Sequence, residues 1–88
     1  MTYLIIRHSV ADFAKWKPHY DAHEPARHTA GLVEKELLHD VSDPNHLVLL
    51  FEATDLAKAK DLLESDSIKE AMRKGGVVGK PEFYFLQR

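Results

Sequence analysis

Residues 46–53 read HLVLLFEA. An apolar run of this length, bounded by polar residues and rich in β-formers, suits a strand. Side chains alternate along a strand, so Leu47, Leu49 and Phe51 point one way and Val48 and Leu50 the other. Both faces are apolar, and each needs a cover.

Immediately upstream, SDPN (42–45) is turn chemistry: proline fixes φ, and the Asp and Asn side chains bond locally. A hairpin therefore links the run to a strand at roughly 31–41, which starts at Gly31 and whose mixed apolar and charged pattern suggests a sheet edge. With the turn at 42–45, His39 faces Val48 and His46 faces Val41. Both histidines then share one face, and Lys35 lies near Glu52. Further upstream, TYLIIRH (2–8) reads as a buried strand. Asp12 can cap a helix running to about Arg27, with Pro18 kinking it and Pro25 disturbing its last turn.

Downstream, Thr54 or Asp55 caps a helix with Leu56, Ala59 and Leu63 on one stripe. Ser67 and Glu70 match a capping box for a further helical segment, closed by Gly75 at the C′ position. EFYFLQ (82–87) is the last strand. The expected fold is α+β: a single domain over 1–88, ferredoxin-like βαββαβ, with a four-stranded antiparallel sheet. Two helices cover only one face of such a sheet. The economical cover for the second apolar face is another copy of the chain, packed sheet to sheet as a homodimer.

The bulk numbers remove several classes of function. A net charge of −2 and a pI near 6.3, with scattered lysines and arginines, give no footprint for nucleic acid. Absence of cysteine excludes disulfides, a thiol nucleophile and thiolate zinc sites. The first apolar stretch, YLII, is too short for a signal peptide or a membrane span, so a soluble, cytoplasmic protein is expected.

Chemistry concentrates in WKPHYDAHEPARH (16–28). On a helix, Phe13, Trp16, Tyr20, His23 and Arg27 form one stripe that grows polar toward its end. Buried phenol, imidazole and guanidinium groups need partners, whether each other, backbone, water or a ligand. Two readings stand. In one, Trp16 and Tyr20 are core while His23 and Arg27 snorkel to solvent at the helix end. In the other, the stripe lines a pocket for a small molecule, with Phe13, Trp16 and Arg27 as binding residues. There His23 is the candidate for proton transfer, because imidazole titrates near neutrality. Tyr20 is the second catalytic candidate, orienting or protonating a substrate oxygen, and Arg27 can hold a carboxylate or enolate. His8 joins the binding set, since its strand should be central.

His19 and His23 are spaced i, i+4, but the sequence is not HExxH and two imidazoles are an incomplete site, so no metal is expected. GGVVGKP (75–81) fails the phosphate-loop pattern: Lys74 stands where glycine is required and Pro81 replaces Ser/Thr. A helix C-cap followed by a flexible turn explains these glycines.

Four segments, VADFxxWKPxYDxH (10–23), DPN (43–45), LFEAxDLxKAK (49–60) and AMxxGGVVGxPExYF (71–85), together resemble small proteins of the dimeric α/β-barrel superfamily. That group includes antibiotic-biosynthesis-type and haem-degrading monooxygenases, polyketide cyclases and stress-responsive barrel proteins. The resemblance implies a ferredoxin-like protomer, a dimer whose sheets form a barrel, and a pocket between the first helix and the sheet. It implies either a cofactor-free monooxygenase or cyclase acting on an aromatic or polyketide-like molecule, or a non-catalytic metabolite-binding barrel. In the oxygenase case the substrate carbanion itself reduces O₂, so no cofactor is expected. No match to the haem-degrading site is present.

Overall fold

A computed structural model describes residues 1–88. Its elements run β1 (Thr2–Val10), α1 (Phe13–Ala22), α2 (Glu24–Thr29), β2 (Leu32–His39), β3 (His46–Ala53), α3 (Leu56–Glu64), α4 (Asp66–Gly75) and β4 (Val77–Gln87). The four strands form one antiparallel sheet in the order β2-β3-β1-β4. This is the ferredoxin-like arrangement, with each helical connection divided into two helices. No helix is long and apolar enough to cross a membrane.

Strand β3 does what its alternation requires. Leu47, Leu49, Phe51 and Ala53 are buried under the helices with Leu4, Ile6 and Val10 of β1, Leu32, Trp16 and Ala59. The opposite face carries Val48 and Leu50, and across the ladder Ile5, Tyr84, Leu86, Val33, Leu38 and Val78. No helix covers it: Val33, Leu38, Val78, Tyr84 and Leu86 remain 43–55% exposed. Only 15 of the 88 residues are buried, so the single chain leaves much of its apolar sheet surface unused.

The helices depart from the sequence reading in instructive ways. Asp12 does cap α1, its carboxylate accepting from the Ala14 N–H. Pro18 lies inside α1, yet the helix continues to Ala22. The break falls at His23 (φ −88°, ψ 0°), and Pro25 sits in the first turn of α2, where a missing N–H costs nothing. Asp55, not Thr54, caps α3; Thr54 instead donates its hydroxyl to the Gly31 carbonyl. On α3, Ala59 is buried while Leu56 stays exposed, so the expected stripe holds only toward Leu63.

The capping box expected at Ser67 and Glu70 is replaced by a cap two residues earlier. Ser65 accepts from the Ile68 N–H, and Ser67 is free to face α1. The left-handed residue ending α4 is Gly76 (φ +79°), not Gly75, which is the last helical residue.

Strand β4 is longer than its EFYFLQ core. Residues 77–81, expected as a turn, belong to it. Gly79 (φ +73°) absorbs a register shift opposite Arg7–Ser9, and Pro81 is tolerated because β4 is an edge. The β2–β3 hairpin also differs by one position. The actual turn pairs His39 with Leu47, and a bulge shifts the register again farther from the turn, between Glu34 and Glu36. His39 therefore faces the helices against Phe13, while His46 lies on the open face beside Ser9; the two histidines do not share a face. Lys35 and Glu52 do form the expected ion pair, at 3.2 Å.

Candidate functional site

Between α1, α4 and the inner face of the sheet lies a half-enclosed cavity of about 40 Å³. Its walls include His8, Trp16, Tyr20, His23 and Arg27, all candidates from the sequence, with Ile68, Ala71 and Met72 contributed by α4. Phe13 stands outside it, packed between Trp16 (5.8 Å) and His39 (4.5 Å). The volume holds roughly three waters, well below a pocket for a drug-sized ligand.

His8 reaches the cavity because it shares the inward face of β1 with Leu4 and Ile6. Its ring meets Trp16 edge-on at 5.6 Å and is 5% exposed, and its Nδ1 has no hydrogen-bond partner. Burial is the main cause holding its pKa below 6.5; the Ser9 backbone opposes the shift and the nearby His46 adds to it. The imidazole is therefore neutral at pH 7.

Trp16 stacks on Tyr20 (4.7 Å, 25°), and the Arg27 guanidinium lies 3.8 Å from the centre of the same phenol ring. Room for the indole comes from Gly75, since a Cβ there would sit 3.0 Å from Trp16 Cδ1. The Tyr20 hydroxyl donates to Glu34 Oε1 at 2.7 Å. Burial first, and that carboxylate second, push the phenol well above its ordinary value. Its proton is thus firmly held and committed to Glu34.

Arg27 is 7% exposed, and Nη1 donates to the Tyr20 carbonyl at 2.7 Å near the end of α1. Neither of the alternatives read from the stripe describes it fully, because it caps a helix end yet is buried. His23, at the α1–α2 break, is partly exposed. Its Nε2 lies 3.0 Å from Ser67 Oγ, joining α1 to α4 across the cavity mouth. Burial and then the Arg27 charge lower its pKa, so it too is neutral at pH 7.

Glu34 is missing from the sequence reading, where Ser67 is a helix cap and not a site residue. Parity with Leu32 along β2 places Glu34 inward, a signal present in the chain. Ser67 becomes available only because Ser65 takes the cap. His19 points to a shallow outer hollow with His23, Ser67, Glu70 and Lys74, and no three His, Cys, Asp or Glu side chains gather closely enough for a metal ion.

Ser9 Oγ and His46 Nδ1 are 2.9 Å apart on the open face, the spacing of a nucleophile and its base. Arg7 Nε donates to His46 Nε2, however, at 3.2 Å. That ring nitrogen is the acceptor, so Nδ1 carries the proton and donates to Ser9. The pair is structural, with no base for the serine.

No family model matches the chain, and neither does any curated protein. Solved structures do. A Bordetella bronchiseptica protein provisionally named an antibiotic biosynthesis monooxygenase matches with a TM-score of 0.78 and 15% identity, over 99% of this chain and 95% of that one. A variant of SnoaB, a cofactor-independent oxygenase from Streptomyces nogalater, matches with a TM-score of 0.73 and 14% identity, over 99% and 91%. The chain has their fold. A protein of Agrobacterium tumefaciens whose name states no activity shares it as well, with a TM-score of 0.71 and 9% identity over 99% and 92%. This ferredoxin-like, antibiotic-biosynthesis-monooxygenase-like fold therefore comes with and without a named reaction, and the activity must be argued from the site.

Proposed function

We propose that the chain works as a homodimer, paired through the open sheet face, that binds a small aromatic molecule in the α1–α4 cavity and oxidises it with O₂ without a cofactor. The observation that carries the reading is His8, whose ring lines a cavity with His23 and Arg27 and whose Nδ1 is buried without a partner. An unsatisfied buried polar atom costs stability, and such costs concentrate where a ligand supplies the missing bond. The shared fold with a cofactor-independent oxygenase supports the choice of reaction class.

The substrate is a phenol whose ring carries an activated C–H. Neutral His23 takes the phenolic proton, the Arg27 charge near it favours the oxyanion, and His8 bonds a second polar group of the ligand. Electron density delivered to the ring carbon forms a C–O bond to O₂, and the resulting peroxide regains the proton from His23. Loss of the carbon-bound hydrogen and the distal oxygen as water leaves a quinone, so one O₂ yields one carbonyl and one water. Tyr20 serves as a wall, because its proton is directed to Glu34. A ring larger than the 40 Å³ cavity enters by parting His23 from Ser67, a single hydrogen bond worth roughly 1 kcal/mol.

The test is oxygen consumption with hydroxylated anthrones and naphthalenediols, corrected for autoxidation. Protein-dependent uptake should fall roughly 100-fold or more in His23→Ala and persist in His19→Ala. Uptake at the background rate, or full activity in His23→Ala, removes the reaction. A second reading, a binding protein without turnover, is favoured by the small cavity; it predicts ligand binding with no oxygen uptake.

A further inference from the structure

Arg27 is the one buried cation of the core, and it has no ion-pair partner. None of the chain's ion pairs includes it, so no carboxylate lies within 4.0 Å of its nitrogens. A guanidinium has five N–H donors. Only one hydrogen bond from Arg27 is present, Nη1 to the Tyr20 carbonyl. The Tyr20 ring under the guanidinium and the carbonyl end of α1 soften the charge without neutralising it. Glu34, which accepts from the Tyr20 hydroxyl, lines the hollow on the β2 side of Arg27 with Asp21 and Glu24, but none of them comes within 4.0 Å of its nitrogens.

Around this cation, the other titratable groups of the cavity are uncharged at pH 7: His8, His23 and the tightly held phenol of Tyr20. The walls between them are apolar. A buried positive charge in such surroundings is costly without a close counter-ion, and on the cavity side the chain supplies none. Arg27 borders the cavity on one side and a second hollow toward β2 on the other, so its free donors open onto space a ligand can reach.

We infer that the ligand is an anion, an aromatic acid whose carboxylate enters the cavity to pair with Arg27 and to meet the unpartnered Nδ1 of His8. The size agrees. Room for roughly three waters accommodates a carboxylate group. The aromatic part then extends past His23 and Ser67 toward the outer hollow, which shares His23 and Ala71 with the cavity. This rests on the cavity being a ligand site as proposed above, and narrows the ligand to acids.

The chain's single tryptophan, Trp16, lines the cavity, so its fluorescence reports occupancy, with calorimetry as an independent readout. The probes are benzoate and its neutral isostere benzamide. Benzoate should bind at least about tenfold more tightly than benzamide at pH 7. Arg27→Gln should erase that gap, Arg27→Lys should keep part of it, and Lys74→Gln, on the outer hollow, should leave it intact. Equal binding of the two probes overturns the anion inference while the cavity remains a ligand site. Loss of the gap in Lys74→Gln places the anion outside and also overturns it. Failure of both probes to bind removes the inference together with the site. Where Arg27→Gln does not fold, the benzoate–benzamide ratio in the unmodified protein, with Arg27→Lys, still decides.

Discussion

Leu86 offers a direct test of the proposed dimer. It lies on the open face of β4, paired with Tyr3 of β1, and is 48% exposed and outside the buried core. Burying a leucine completely contributes roughly 1.5–3 kcal/mol, so about half of that, roughly 0.7–1.5 kcal/mol, is left for a partner to supply. Twofold symmetry counts the contact twice. Leu86→Asp should therefore weaken the dimer by at least roughly 1.5–3 kcal/mol, or about 10–150-fold in dissociation constant. Desolvating the new carboxylate adds to the loss, because aspartate is too short to snorkel out. Sedimentation velocity across a concentration series measures the shift, with circular dichroism confirming that the monomer stays folded. Leu56→Asp is the matched control: Leu56 is 40% exposed but lies on α3, on the other side of the sheet. An unchanged dimer in Leu86→Asp, a monomeric unmodified protein, or dissociation in the Leu56 control would each refute the pairing.

Gly75→Ala sets a helix-propensity gain of about 1 kcal/mol against a Cβ 3.0 Å from Trp16; overpacking should win, and thermal melts should show a net loss of about 1 kcal/mol. Glu34→Gln should lower the Tyr20 phenol pKa, read from tyrosinate absorbance, yet leave it above the ordinary 10.0, because burial is the larger cause. His8 and His23 have depressed folded-state values, so the unfolded chain binds more protons below about pH 6.5. The stability they contribute is complete above that pH and is lost as pH falls from 6.5 toward their folded values. His8→Leu should flatten the melting temperature between pH 6.5 and 5. It should also raise stability at pH 7 by about 1 kcal/mol by removing the orphaned nitrogen, at the expense of ligand binding.

Much of the fold was legible because it depends on period. The alternation in HLVLLFEA fixed the two faces of β3, and the inward stripe of α1 brought Trp16, Tyr20, His23 and Arg27 to one cavity. What depends on a single residue of register was not. The turn register, one residue off the expected one, separated His39 from His46, since a one-residue slip leaves the composition unchanged while reversing faces, and two extra β4 residues taken up beside Gly79 turned an apparent loop into strand. Capping was ambiguous for a similar reason: Ser65 and Ser67 compete for one helix start, and only packing against α1 selects Ser65. The burial of His8 followed from its central strand, but its unpartnered nitrogen is a property of the packed core.

The central claim, that this cavity receives a ligand through His8, is tested most directly by the imidazole itself. In ¹⁵N-labelled protein, long-range nitrogen–proton spectra resolve the ring nitrogens of the six histidines. Titration with a saturating hydroxybenzoate should move the His8 Nδ1 resonance as it gains a hydrogen bond, while those of His39 and His46 stay in place. A His8 Nδ1 that does not move, with the ligand shown to be bound elsewhere or not at all, contradicts the account.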